Sequence, residues 1–171
     1  WARILSVLAA SRVKASFFCL GSQIARHAGQ ARRTLRDGHS IGNHSWNHAY
    51  LPGLSPAGVV ADARRATLAW WRLARQAPMP FYRPPYGALG AGAARGIGAA
   101  GYGKIVLWDV DPQDWRRPGA AAIVARVVGP ARAGSITTLA EFATRVSVTK
   151  SGMPGRLHTS GDNTHQITTT R

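Results

Sequence analysis

The feature that most constrains the fold of this chain is a regular alternation of strand-type runs and segments with helical spacing. The strand-type runs are short and lie at residues 15–20, 40–43, 81–82, 102–108 and from 135 onward. The helical segments lie at residues 4–8, 21–38, 55–74, 91–100 and 120–128. This alternation is typical of a parallel α/β sheet or barrel, in which functional residues collect at the carboxyl ends of the strands.

Residues with known capping preferences mark the helix boundaries. Gly21-Ser22 is expected to supply a turn and an N-cap for a single amphipathic helix, and Gly38 is expected to end that helix. Ser55-Pro56 places an N-cap and an N1 proline before the next helix. These positions predict two long helices on either side of the strand at 40–43.

Length and composition predict one globular domain, which we expect to be a monomer. A chain of 171 residues with 45% hydrophobic content can bury one sizeable core and is short for two. The only cysteine is Cys19, so an intramolecular disulfide and Cys-His zinc fingers are excluded. No run of 18 or more apolar residues occurs, so no membrane span is predicted. Because the chain begins at Trp1 inside a helical segment, we expect further residues before it.

Composition changes near residue 140. From there Thr, Ser, Gly and Arg dominate, and neither helical nor strand periodicity is sustained. Such a segment offers little apolar surface to offset the entropy of ordering it. We therefore predict an ordered domain at residues 1–139 and a poorly ordered tail at residues 140–171.

The formal charge of +15, from 22 basic and 7 acidic residues, favours anionic partners such as nucleic acid. The arginines are scattered along the predicted helices, however, and no run of five basic residues occurs. Solvated helix faces explain this distribution without a ligand. A nucleic-acid-binding module is therefore kept only as the least favoured function.

Two histidines follow the strand at 40–43. His44 and His48 stand four residues apart, a spacing at which both rings can reach one zinc-like cation. The pair alone is ambiguous, because this spacing also occurs on helix surfaces. Its position after a predicted strand favours a metal site.

The next two strands are followed by polar motifs as well. Arg83-Pro84-Pro85-Tyr86-Gly87 fixes the backbone with prolines and leaves the Tyr86 N–H able to meet a ligand oxygen. The segment Asp111-Pro112-Gln113-Asp114-Trp115 groups two carboxylates with an indole. Taken singly, the first is explained by a rigid turn and the second by a capping cluster. Three such motifs at successive strand ends indicate one site.

These segments resemble the polysaccharide deacetylase family, carbohydrate esterase family four. Three segments of the chain, in this order, are similar to the family's second, third and fourth motifs: GHSIGNHSWNH, FYRPPYG and WDVDPQDW. An earlier segment, ILSVLAASRVKASFFCLG, resembles the family's first helix and second strand. The resemblance runs from about Ile4 to about Ile136. It implies an incomplete distorted (β/α) barrel that removes N-acetyl groups from chitin-like or peptidoglycan-like glycans outside the cytoplasm, at the cell envelope or beyond it.

The resemblance also implies a role for each motif residue. His44 and His48 would be ligands of a divalent metal, expected to be zinc with cobalt or nickel as alternatives, and Ser45 would brace the loop between them. Arg83 would hold the catalytic base, and the backbone N–H of Tyr86 would stabilise the oxyanion. Asp114 would orient Arg83, and Trp115 would line the acetyl pocket.

Two departures from the family pattern predict impaired catalysis. The family's aspartate pair, which supplies a metal ligand and the general base, would lie before Trp1, and no two adjacent acidic residues occur in this chain. In the segment GSITTLAE, Ala140 stands where the family has its histidine acid, and Glu141 stands where it has an aspartate. A non-catalytic carbohydrate-binding remnant of the same fold is therefore the main alternative.

Overall fold

The computed structural model describes residues 1–75, 78–141, 146–150, 157–158 and 168–169. Helices and strands alternate along most of this part of the chain. The helices are α1 (Ala2–Ala10), α2 (Gly21–Arg26), α3 (Ala28–Arg36), α4 (Pro56–Ala74), α5 (Ala91–Ala99) and α6 (Ala120–Val128). The strands are β1 (Ala15–Cys19), β2 (Ser40–Asn43), β3 (Phe81–Tyr82), β4 (Lys104–Ile105), β5 (Leu139–Glu141), β6 (Val146–Lys150), β7 (Leu157–His158) and β8 (Thr168–Thr169).

Six of these strands form one sheet in the order β4-β3-β2-β1-β6-β5. Strands β1 to β4 run parallel to one another, with Phe17 opposite Ile41 and Phe81 opposite Lys104. Strand β6 runs antiparallel to β1. The parallel half of the sheet confirms the predicted α/β class, and it brings the carboxyl ends of β1 to β4 to one edge.

Two groups of apolar side chains pack between one face of the sheet and the helices. Leu5, Phe17, Ile41 and Trp70 belong to one group, which joins α1, α4 and the first two strands. The other joins α4, α5 and β3. Burying each large apolar side chain contributes about 1.5–3 kcal/mol, so these groups are the main source of stability. Gly96 permits the close approach of α5 to α4, because an added Cβ there would lie 2.7 Å from Val59 Cβ.

Several predicted boundaries are confirmed. Ser55 caps α4 by accepting a hydrogen bond from the Gly58 N–H, as Ser55-Pro56 predicted. Helices α5 and α6 begin and end within one residue of the predicted segments at 91–100 and 120–128. Among the described helices, none has the length and apolar character required to span a membrane.

The single helix predicted between residues 21 and 38 is wrong, because His27 interrupts it. His27 leaves the helical backbone region (φ −120°, ψ 40°), and its ring packs edge-on against Trp1. The N-cap predicted at Gly21-Ser22 is also wrong. Leu20 occupies the N-cap position, and the Gly21 and Ser22 N–H groups donate to the carbonyls of Ser45 and Trp46. Helix α2 is thereby joined to the histidine loop, residues 44–48, which follows β2 and carries His44 and His48.

The strand predicted at 102–108 is shortened to β4. Tyr102 is buried and hydrogen-bonds across the core through its hydroxyl, while the Val106 and Leu107 carbonyls accept from the Arg83 guanidinium. The strand predicted from residue 135 is reduced to a bridge between Val110 and Thr137, followed by β5. Most of the tail predicted at residues 140–171 lies outside the described residues, so the predicted domain boundary at 139 stays a prediction.

Candidate active site

His44 and His48 lie on a loop that continues directly from β2, and hydrogen bonds between residues of this segment stabilise it. The Ser45 N–H donates to Asn43 Oδ1 at 2.8 Å, and the His48 N–H donates to Ser45 Oγ at 2.8 Å. Ser45 and His48 both have positive φ angles, of 74° and 68°. Side chains disfavour this backbone region, so the hydrogen bonds of the buried Ser45 hold the loop against local strain.

Residues behind the loop fix it to α4, and sequence reasoning did not assign them a role. Asn43 Nδ2 donates to the Ala63 carbonyl at 3.0 Å and to the Tyr102 hydroxyl at 2.6 Å. The Asp62 carboxylate accepts from the Trp46 N–H at 3.0 Å, and burial raises its pKa. Asn43 lies within the motif GHSIGNHSWNH. No sequence pattern indicates Asp62, because its contact with the Trp46 N–H depends on how α4 packs against the loop.

The His44 ring is held in one tautomer. Its Nδ1 lies 2.7 Å from the Arg83 carbonyl oxygen. A carbonyl can only accept, so Nδ1 carries the proton and the Nε2 lone pair is left for a ligand. The His48 ring lies edge-on to it, with ring centroids 5.0 Å apart. Hydrogen bonding of the second ring nitrogen is the usual arrangement of a metal-binding histidine.

The pKa of His44 is lowered from 6.5 to about 3, chiefly by burial and also by the neighbouring His48 and Arg83, against the opposing effect of the Arg83 carbonyl. The imidazole is therefore neutral at pH 7, which is the form that binds metals. A charged imidazolium at this position would lack the solvation it has in the unfolded chain.

Arg83 follows β3 and is fully buried. Its guanidinium donates to the carbonyls of Val106 and Leu107, each at 3.2 Å, and to Thr138 Oγ1 at 3.4 Å. It also lies over the Phe18 ring, with its central carbon 4.2 Å from the centroid. Burial lowers its pKa to about 9, so the group remains charged at neutral pH.

The three motifs meet at one cavity of about 500 Å³. Its lining is mostly aromatic and titratable and consists of His44, His48, Arg83, Tyr86, Trp108, Asp111, Asp114, Trp115, Thr138 and Ala140. Gly87 permits the turn that brings Tyr86 there, since its φ is 66° and an added Cβ would lie 2.9 Å from the Trp108 ring. All seven predicted site residues except the bracing Ser45 therefore line this cavity.

The acidic motif also lines the cavity. Asp114 accepts a hydrogen bond from the Ala140 N–H at 2.8 Å, and burial raises its pKa. Asp111 accepts from the Gln113 N–H in a local turn. Asp114 thus fixes the backbone of Ala140 at the cavity, and its predicted role in orienting Arg83 stays a prediction. Trp115 is half exposed, and the Arg116 guanidinium lies over its ring, 4.6 Å from the centroid.

The donor set for a metal is partial. His44 and His48 share the cavity, but no group of three or more His, Cys, Asp or Glu side chains suited to a metal occurs in the described part of the chain. Catalytic zinc sites usually have three protein ligands. Among the described residues, the cavity therefore offers a cation two imidazoles, one fewer protein ligand than is usual.

Acidification is expected to destabilise the metal-free protein through His44. A histidine whose pKa falls on folding stabilises the folded state above its unfolded pKa, and this contribution is lost as the pH falls. The window runs from 6.5 down to about 3, with a slope of up to about 1.4 kcal/mol per pH unit. Urea unfolding across this range, in the presence of chelator, should show a steeper loss for the wild type than for His44→Gln.

Asp62 and Asp114 have raised pKa values and act with the opposite sign. Both proteins contain them, so their effect cancels in the difference between the two curves. Parallel curves for the wild type and His44→Gln would show that His44 is not held neutral by burial.

Comparisons with known proteins place the chain in a family. The polysaccharide deacetylase family model matches residues 1–105. The chain is 36% identical over 141 residues to a chitooligosaccharide deacetylase from a Bradyrhizobium strain, an alignment that covers 80% of this chain and 62% of that protein. This chain belongs to the polysaccharide deacetylase family, a family of hydrolases.

Solved structures of polysaccharide deacetylases and of a related pseudoenzyme share the fold of this chain. The peptidoglycan deacetylase PdaC from Bacillus subtilis matches with a TM-score of 0.72 and 31% identity, over 80% of this chain and 64% of that one. A Bacillus anthracis protein described as a CE4 family pseudoenzyme matches with a TM-score of 0.73 and 26% identity, over 80% and 48%. The fold is thus part of a polysaccharide-deacetylase-type (β/α) barrel, as predicted, and the chain spans less than two thirds of the length of these relatives.

Proposed function

We propose that this chain binds glycans built from N-acetylated amino sugars in the 500 Å³ cavity and hydrolyses their N-acetyl groups slowly. The convergence of the three motifs on this cavity is the observation that carries the proposal. The names of the relatives, a chitooligosaccharide deacetylase and a peptidoglycan deacetylase, support the substrate class. Cell-wall or extracellular glycans are the expected polymers, which suggests action outside the cytoplasm.

His44 and His48 would hold a divalent cation, most readily zinc, since neutral imidazoles are good zinc ligands. When bound, such a cation supplies polarisation of the amide carbonyl and activation of water. The His44–Arg83 carbonyl hydrogen bond keeps the Nε2 lone pair available for this purpose. Ser45 supports the same geometry by fixing the backbone of His48.

The other lining residues would act on the substrate. The Tyr86 N–H would donate to the developing oxyanion, a type of contact that acts on charge formed during the reaction. Trp115 would pack against the acetyl methyl group, and Asp114 would orient Arg83, through which the family holds its base. Arg83 contributes a fixed positive charge beside the cavity.

Zinc binding tests the metal part of the proposal. Isothermal titration of the chelator-treated protein should show one weak site per chain, because two imidazoles fall short of the usual three ligands. His44→Ala and His48→Ala should each weaken binding at least about tenfold. His27→Ala, which changes a histidine outside the cavity, should bind zinc as the wild type does. Unchanged affinity in a folded His44→Ala protein would remove the metal assignment.

A non-catalytic carbohydrate-binding function is the second candidate, and Ala140 favours it. Ala140 lines the cavity, and by the family resemblance it takes the place of the histidine that would protonate the departing amine. The similarity to a protein described as a pseudoenzyme is consistent with this candidate. Glycan binding without any acetate release would establish it.

A nucleic-acid-binding module, suggested only by the charge of +15, would require binding to duplex DNA with a steep salt dependence.

A further inference from the structure

The four tyrosines of this chain fall into two pairs. Tyr82 and Tyr102 are buried, as is usual for large aromatic side chains in a core. Tyr50 and Tyr86 are 60% and 65% exposed, and their ring centroids lie 6.4 Å apart. Single exposed aromatic residues are common on protein surfaces, but two adjacent ones beside a cavity form a surface that a ligand can cover.

These two tyrosines continue a row of rings that begins in the cavity. The His48 and Tyr86 rings are edge-on with centroids 4.4 Å apart, and both residues line the cavity. Tyr50 follows Tyr86 at a tilt of 57°. The row therefore leads from the proposed metal ligands across the cavity rim to an exposed aromatic side chain.

The backbone of Tyr50 is fixed by its neighbours. Leu51 is fully buried in the core group that also contains Val59. The Tyr50 carbonyl accepts a hydrogen bond from the Gly53 N–H at 3.1 Å, and the Gly53 position lies against the Tyr50 ring, where an added Cβ would be 3.7 Å away. Because its backbone is already fixed, Tyr50 can bind a ligand with only the ordering of its own side chain as a further loss of conformational entropy.

We propose that Tyr50 forms a second sugar subsite, which stacks against the amino-sugar unit next to the one in the cavity. This inference rests on the proposed function, because a polymer with one unit in the cavity must continue across its rim. Pyranose rings present an apolar C–H face to an aromatic ring and hydroxyl groups to its phenolic tip. The subsite makes the chain selective for oligomers over the single sugar.

Binding of N-acetylglucosamine and chitopentaose, followed by tryptophan fluorescence of the zinc-supplemented protein, tests the subsite. Tyr50→Ala should weaken chitopentaose binding about three- to tenfold and leave N-acetylglucosamine binding unchanged. Tyr50→Phe keeps the ring and should retain most of the affinity. Leu54→Ala removes another exposed side chain of the same loop and should have no effect.

The outcomes separate the subsite from the proposed function. If Tyr50→Ala binds chitopentaose as tightly as the wild type, the subsite is refuted while glycan binding in the cavity stands. Equal wild-type affinity for one and five sugar units would also refute it. If the wild type binds neither sugar, the proposed function fails and the subsite fails with it.

Discussion

The Arg83→Ala protein is expected to lose about 3–5 kcal/mol of unfolding free energy. The substitution leaves a space between Phe18 and Trp108, and it removes the donors that the Val106 and Leu107 carbonyls use in place of a neighbouring strand. Cavity formation and unsatisfied buried acceptors together account for a loss of this size. Urea unfolding followed by far-ultraviolet circular dichroism measures it.

Two further variants sharpen the Arg83 experiment. Arg83→Lys keeps a positive charge but lacks the planar, forked guanidinium, so an intermediate loss is expected. Arg116 stacks on the exposed Trp115 ring, and Arg116→Ala should change stability by no more than about 0.5 kcal/mol. An Arg83→Ala protein as stable as Arg116→Ala would show that the burial of Arg83 contributes nothing to the fold.

The second large effect concerns Ala140. Ala140→His is expected to raise the rate of acetate release from chitopentaose about 10- to 100-fold. A positioned general acid is typically worth about 10² to 10⁴ in rate. A gain at or below the lower end of that typical range is expected for two reasons. Catalytic groups that act together are not additive, and the chain has no adjacent acidic pair to supply the family's base.

The geometry around Ala140 favours this gain. The Asp114 carboxylate holds the Ala140 N–H, which fixes the residue at the cavity wall. Ala140→Asn is the matched control, since it adds a polar side chain that cannot donate a proton as an acid. Equal rates for Ala140→His and Ala140→Asn would show that the alanine is not what limits the reaction.

The sequence predicted the parts of the site that follow strands along the chain. His44, Arg83 and Asp114 each belong to a polar motif directly after a strand-type run, and a parallel sheet gathers such motifs at one edge. The α/β class and the boundaries of α4 were predicted for a similar reason, because periodicity and capping are local properties.

The contacts that depend on tertiary packing could not be predicted in this way. Asp62 reaches the Trp46 N–H only because α4 docks beside the histidine loop. The strand at 102–108 was predicted too long, because its last carbonyls bond to a side chain from another strand end. The break at His27 was missed because apolar spacing continues on both sides of it.

Acetate release from chitopentaose in the presence of zinc tests the central claim most directly, with the wild type compared to His44→Ala and His27→Ala. We predict slow, zinc-dependent release by the wild type and by His27→Ala, and none above background by a folded His44→Ala protein. The same rate in the wild type and His44→Ala would contradict the claim that the cavity at His44 and His48 is a metal-dependent N-deacetylase site.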